Sequence, residues 1–184
     1  MSRPRAGLLV SPRSRSIIVL VGSLQVTTRT EESGSGEICR AILQALPHWF
    51  GIPDSVADYV AVADRSPSVM ATAEGKDVGI TTLLSRSRWA AEVYVMGVLP
   101  EYHRMGVGRA MLQAAEARLA HTGVEFLQVK TLSPTKPDPG YERTRAFYLA
   151  YGFRPLEEFP QLWVPDNPAL QMVKSVTAPG GHEP

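Results

Sequence analysis

An α/β (α+β) domain is the fold class that this sequence predicts, and three observations carry the prediction. The chain has 184 residues, enough for one well-filled core and short for two. Helical and two-residue apolar periods alternate along it. A β-rich run, Ala91 to Val98, leads through a glycine-containing turn directly into a helical pattern.

Taken in order, Leu24 to Thr30 reads as a first strand, with the apolar run Ile17 to Val21 as an additional edge strand before it. Ile38, Ala41, Ile42, Ala45, Leu46 and Trp49 recur at helical spacing, and Pro47 breaks that helix. Asp54 or Ser55 is placed to cap a second helix, whose Val56, Tyr59, Val60 and Ala63 share a face. Ser68 to Ala73 and Val78 to Leu84 make a hairpin around Glu74-Gly75-Lys76-Asp77. After the strand Ala91 to Val98, Leu112, Ala115 and Leu119 mark a third helix that Gly123 closes. Val124 to Thr131 is a strand, and the loop LSPTKPDPG follows it. Thr144, Phe147, Tyr148 and Tyr151 give one face of a last helix ending at Gly152, and strands around Pro155 to Trp163 and Ala169 to Val176 complete the order.

Composition narrows the function classes. Hydrophobic residues make up 44% and charged residues 20% of the chain, as in ordinary soluble domains. The net charge is +1, but Arg3, Arg5, Arg13, Arg15 and Arg29 fall in the first thirty residues without any acid, leaving 14 basic and 18 acidic residues in the body. That body does not suggest a nucleic-acid surface. Residues 1–22 are expected to be a disordered or start-site extension, 23–177 a single domain and 178–184 a flexible tail. The run Ile17 to Gly22 is too short for a signal-peptide core and no span of roughly 20 apolar residues exists, so a cytoplasmic protein without membrane contact is expected. The single cysteine, Cys39, fits a reducing compartment. No spacing of His, Cys, Asp or Glu supports a metal site, and Lys130 and Lys136 read as solvated.

In front of the third helix stands EYHRMGVGRAML, Glu101 to Leu112. A helix start offers unpaired N–H groups and a partial positive charge, and Gly106 and Gly108 allow an anion to approach the backbone, so a phosphate group is the natural ligand. His103, Arg104 and Arg109 can add charge or hydrogen bonds. A dinucleotide fingerprint would need a third glycine where Met111 stands, and no G-x-x-x-x-G-K-[ST] string occurs.

VMGVLPEYHRMGVGRAML, Val95 to Leu112, resembles the pyrophosphate-binding motif of the GNAT acetyltransferase superfamily, V-x-P-x-x-[QR]-x-x-G-x-G/A. Val98 and Pro100 take the opening places, Gly106 and Gly108 the glycines, and His103 stands where Gln or Arg is usual. A second segment, TRAFYLAYGF, Thr144 to Phe153, is similar to the C-terminal motif ending in Y-x-x-x-G-F, with Tyr148 as its tyrosine and Tyr141 where asparagine is common.

The resemblance spans residues 24–176. It implies a mixed, mostly antiparallel central sheet of six or seven strands flanked by about four helices, in a monomer or homodimer. It also implies an acyltransferase that moves an acetyl group from acetyl-CoA directly to an amine in a ternary complex, or else a catalytically silent CoA-binding sensor. The implied CoA contacts are Met96, Val98 and the cradle from His103 and Arg104 through Met105, Gly106, Val107 and Gly108 to Arg109.

A protonated alkylammonium cannot attack a thioester, so a base or a relaying water is needed. Glu92, in an Ala91-Glu92-Val93 string matching the base position of some superfamily members, is one candidate, and a polar residue at a strand end is the other reading. Period-2 alternation places Glu92, Tyr94, Met96 and Val98 on one face. Backbone N–H near Met96 to Val98 would hold the thioester oxygen, with Gly97 permitting close approach, and Tyr148 would protonate the leaving thiolate. Trp49, Tyr94 and Tyr141 are acceptor-pocket candidates, while His48 and His121 fall near helix ends and His182 in the tail.

Overall fold

The alternating periods fold as strands and helices in the expected order. The computed structural model describes residues 17–21, 24–163 and 167–176. Strands β1 (Ile17–Val21), β2 (Leu24–Glu31), β3 (Ser68–Ala73), β4 (Lys76–Ser85), β5 (Ala90–Val98), β6 (Phe126–Leu132), β7 (Arg154–Phe159) and β8 (Ala169–Ser175) form one sheet, ordered β1-β2-β3-β4-β5-β6-β8-β7. The helices among the described residues are α1 (Gly36–Gln44), α2 (Pro53–Arg65), α3 (Val107–Leu119) and α4 (Pro139–Tyr151). The sheet exceeds six or seven strands through β1, which lies on the edge against β2 with Ile17 opposite Thr28. The remainder of the 1–22 segment and the 178–184 tail lie outside the described residues.

Neighbouring strands are antiparallel except β5 and β6, a parallel pair joined through α3, because parallel strands need a long crossover. The β3–β4 hairpin turns at Glu74 and Gly75, both at positive φ (50° and 77°), the geometry of a tight two-residue hairpin turn. Two cores form, one on each face. On one, Val107, Met111, Leu112 and Ala115 of α3 and Tyr148 of α4 pack on Val69, Ala71, Val93, Leu127 and Val129. On the other, Cys39, Ile42 and Leu43 of α1 and Val60 and Ala63 of α2 pack on Met70, Ile80 and Val95.

Several boundaries differ from the sequence expectation. Helix α1 ends at Gln44 rather than reaching Pro47, and no side chain caps its start, so burial of Ile42 and Leu43, each worth about 1.5–3 kcal/mol, holds it. Helix α2 begins at Pro53 with Ile52 as N-cap. Asp54 and Ser55 lie in its first turn instead of capping it, since proline's fixed φ already suits the first helical position. Helix α3 stops at Leu119, and Gly123 (φ 76°) serves the following turn rather than the helix end. Strand β6 starts at Phe126, and β7 stops at Phe159, short of Trp163. In α4 both ends are closed: Asp138 accepts from the N–H groups of Gly140 and Tyr141 at 2.8 and 2.9 Å, and Gly152 (φ 113°) terminates it. No helix among the described residues is long and apolar enough to cross a membrane.

Candidate active site

The site begins where two strands part. Pairing of β5 with β6 runs from Ala90 opposite Phe126 to Val93 opposite Val129 and then ends. From Tyr94 to Val98, β5 keeps β4 on one edge and has no strand on the other, so backbone polar groups there face a cleft of about 1790 Å³. The cleft is lined from both sides of the sheet, by the α1–α2 loop, the turn before α3, helix α4, and the loop joining β7 to β8.

A β-bulge sits at the same place. Thr82 of β4 pairs with Val95 and Leu83 with Val93, so Tyr94 is an extra residue without an opposite number. This corrects the expected face of Glu92, Tyr94, Met96 and Val98, because one inserted residue reverses the alternation. Ala91 and Val93 share the α3 side with Met96 and Val98, whereas Val95 packs on the α1 side. Glu92, ahead of the bulge, alternates with Ala91 and Val93 and falls on the α1–α2 side. Tyr94 points there too, its hydroxyl donating to Asp58 of α2 and its ring meeting Tyr59 at 5.6 Å.

Three glycines do different work. Arg104 (φ 62°) and Gly106 (φ 73°) are left-handed and turn the chain sharply into α3, whose N-cap is Gly106, so no side chain satisfies the first N–H groups of the helix. No acidic residue occupies that first turn, which leaves the positive end of α3 open to an anion. Gly108 is right-handed; a Cβ there would come 3.0 Å from Met96 Cε and 3.1 Å from Phe147 Cζ, so its role is close packing of α3 on β5 and α4. A Cβ on Gly97 would meet Ile42 Cγ2 and Leu46 Cδ1 at 3.0 Å, so Gly97 makes room for α1 rather than for a ligand.

Of the cations expected at the cradle, two are engaged elsewhere. His103 Nε2–H donates to Val98 O at 2.7 Å, because a carbonyl can only accept. The Arg109 guanidinium lies over the Tyr151 ring at 5.4 Å. Arg104 is exposed and has no partner among the described residues.

Tyr148 lies on the α3–α4 side, buried, its hydroxyl 3.9 Å from Met96 Sδ and its ring edge-on to Phe153. Burial pushes its phenol well above the ordinary tyrosine value, so it stays protonated at neutral pH. Tyr141, two turns earlier on the same face of α4, donates to Trp49 O at 3.2 Å and is pushed up to about 12, chiefly by burial. Trp49 itself stands edge-on to His48 and, at 6.0 Å, to His103, so the α1–α2 loop lies over the mouth of the cradle.

On the opposite side lies a charged cluster. Glu92, with a side chain only 4% exposed, accepts at Oε2 from Arg86 Nε (2.5 Å), Lys130 Nζ (2.8 Å) and Gln128 Nε2 (2.9 Å). Burial alone would raise its pKa, but the three donors outweigh it and hold the carboxyl below the usual range. This is a carboxylate whose accepting oxygen is already filled, an arrangement that orients cations better than it collects protons. Lys130 is accordingly covered rather than solvated, with its side chain 18% exposed, and Lys136 bonds Asn167.

Arg86, Lys130, Asp58, His48 and Asp138 were not visible as site residues in the sequence. His48 Nε2 lies 3.2 Å from Asp138 Oδ1, a pairing between the α1–α2 loop and the start of α4 that no local spacing reveals. The signal for Lys130 existed, since it is two residues from Gln128 on a strand beside Glu92, but it required the β5–β6 register. Among the described residues no group of three or more His, Cys, Asp or Glu side chains is placed to hold a metal.

Comparison with known proteins agrees with this geometry. Residues 59–155 match the model of the acetyltransferase (GNAT) domain. Solved structures share the fold: Ard1 from Thermoplasma volcanium (22% identity, 83% of this chain and 98% of that one, TM-score 0.65), and the ribosomal-protein-S18-alanine N-acetyltransferase from Escherichia coli (20%, 84% and 96%, 0.66). A GNAT family acetyltransferase from Elizabethkingia anophelis with acetyl-CoA bound is a third (13%, 82% and 97%, 0.61). The curated proteins contain no sequence match. With the family domain spanning more than half of its length, and the parted strands ahead of an uncapped helix in place, the chain belongs to the GNAT acetyltransferase family.

Proposed function

We propose that this protein is an acetyl-CoA-dependent N-acetyltransferase, a single domain over residues 23–177 that transfers the acetyl group directly to an amine held beside it. The observation that carries the reading is the parting of β5 from β6 next to the uncapped N-terminus of α3. The first-turn amides from Met105 to Arg109, with Arg104, bind the pyrophosphate, and the pantetheine arm runs into the parted strands toward Met96. An amine lone pair attacks the thioester carbonyl carbon, backbone N–H groups between Met96 and Val98 stabilise the oxygen as it gains charge, and the carbon–sulfur bond breaks. Tyr148, held protonated by burial, gives its proton to the departing thiolate and takes one back from solvent as CoA leaves.

The amine proton leaves on the α1–α2 side, through water that Tyr94 and Asp58 can hold, rather than to Glu92, whose Oε2 is filled by three donors. Direct transfer is favoured by Cys39, which is fully buried on the inner face of α1 and stands apart from the cleft, so no acetyl-cysteine route offers itself. Calorimetry with acetyl-CoA, CoA and NAD, followed by free-thiol release with a panel of amines, tests the reading. Acetyl-CoA binding with thiol release on amine addition is expected. Binding without release to any amine would make the protein a silent CoA sensor, and binding of NAD alone would overturn the assignment.

A further inference from the structure

The cluster around Glu92 carries one positive charge more than it can neutralise. Arg86 and Lys130 both point at a single carboxylate oxygen, and Gln128, the third donor, is neutral. Gln128 is itself held in place, because its Oε1 accepts from Gln171 Nε2 at 2.8 Å and its amide nitrogen must therefore face Glu92. The next carboxylate on this side, Asp58, is engaged by the Tyr94 hydroxyl, and Asp54 stands one turn earlier on α2. Among the described residues only Nε of Arg86 makes a side-chain hydrogen bond. Its two outer NH₂ groups have no hydrogen-bond partner among the described residues, and its guanidinium carbon lies 5.7 Å from the centre of the Tyr94 ring. Among the described residues Lys130 spends one of its three N–H donors. Arg86, Glu92, Tyr94, Gln128 and Lys130 all line the cleft.

A cation as covered as Lys130 is costly without a full counter-charge, and the guanidinium fork is shaped for a carboxylate. We propose that Arg86 and Lys130, steadied by Glu92, bind a free carboxylate of the acceptor, so that the substrate is a small amino acid whose amine reaches the bulge at Tyr94 while its acid group rests on this pair. The inference rests on the transferase reading above and narrows it. It separates free amino acids from peptide N-termini and simple amines, which carry no acid group at that distance. About two residues of strand, roughly 7 Å, separate Glu92 from Tyr94, within the combined reach of the two long cationic side chains and a small acceptor. In this arrangement Glu92 is a positioning residue that does not touch the reacting atoms.

The test uses the full chain and matched acceptors: α-, β- and γ-amino acids, each against its carboxamide, with kcat/KM read by free-thiol release. The acids should exceed their amides by roughly tenfold to a hundredfold, the ratio expected for losing a charge-assisted hydrogen bond. Arg86→Gln and Lys130→Gln should erase that preference mainly through KM, and Lys130→Arg, which keeps the charge, should retain most of it. Amides accepted as well as acids would overturn the proposal and leave the transferase standing, a comparison that needs no variant to fold. A preference unchanged in both neutral variants would also overturn it. Absence of transfer to every acid and amide, with acetyl-CoA still bound, would overturn this inference, and release with the wider amine panel would then decide the transferase reading separately.

Discussion

Lys130 Nζ lies 2.8 Å from Glu92 Oε2 across the parallel β5–β6 pair, and the two residues flank its last rung, Val93 opposite Val129, where the strands part. Glu92→Gln removes the counter-charge of a covered lysine and should cost about 3 kcal/mol, the low end for breaking a buried pair because Arg86 remains 38% exposed. In a domain of this size that lowers Tm by about 6–12 °C. The pH dependence has a definite sign. A carboxyl held low in the fold adds stability above its unfolded value, about 4.3, and that stability disappears as pH falls through the folded value. Thermal denaturation from pH 7 to 3 should therefore show a steep acid limb in the parent and a shallower one in Glu92→Gln. A variant of parental stability with a hundredfold lower kcat would instead identify Glu92 as the base.

Gly106→Glu places bulk and negative charge on a left-handed residue at the open end of α3, and acetyl-CoA affinity should be lost. Gly106→Asn, which tolerates that backbone conformation without adding charge, separates strain from electrostatics and should bind within about tenfold of the parent. Calorimetry on both variants decides it; equal affinities for Glu and Asn would count against the cradle.

Tyr148→Phe should fold normally, since the hydroxyl's contact is a weak one to Met96 Sδ. Its kcat should fall by about a hundredfold near pH 7 while acetyl-CoA still binds. Above about pH 9 the deficit should shrink, because a thiolate leaving at that pH no longer needs a proton. A deficit independent of pH from 7 to 10 would point to packing instead.

How much of this was readable from one chain follows a simple physical divide. Glycines, prolines and apolar periods act locally, so the element order, the turn before α3 and the α4 terminator at Gly152 were legible. The bulge was not, because Tyr94 is extra only relative to β4, and the alternation through Glu92, Tyr94 and Met96 looks regular until Thr82 and Leu83 are set beside it. The Glu92 cluster likewise draws on β4's exit, β5, β6 and β8. Gly97 and Gly108 stand out in the sequence, but what they make room for lies on α1 and on β5 with α4, elsewhere in the chain.

Gly97→Ala should be severe despite its small size. The new methyl meets Ile42, Leu43 and Leu46 at 3.0–3.3 Å inside a filled core, so a loss of about 1–3 kcal/mol is expected by chemical denaturation. Gly108→Ala should cost less, because the Met96 methyl that it meets ends a flexible side chain and the Phe147 ring, which it also meets, is only half-buried and can give way.

Thr131→Val should stabilise the protein. Its hydroxyl, buried on β6, has no partner among the described residues, and valine keeps the shape without the unmet polar atom. A gain of about 1 kcal/mol, or 2–4 °C in Tm, is expected, and a loss would show that the hydroxyl is in use.

The extra residue at Tyr94 also governs how the cleft could be blocked. Met96 and Tyr148 lie on one side of the sheet and Tyr94, Glu92 and Asp58 on the other, so a compound on either side leaves the other accessible. Under the proposed chemistry, CoA and the acetylated product should bind together rather than exclude each other, so their combined inhibition should exceed the sum of the two. A bisubstrate inhibitor would have to thread its linker between β5 and β6, and the width of that gap, more than the affinity of either half, would set its potency.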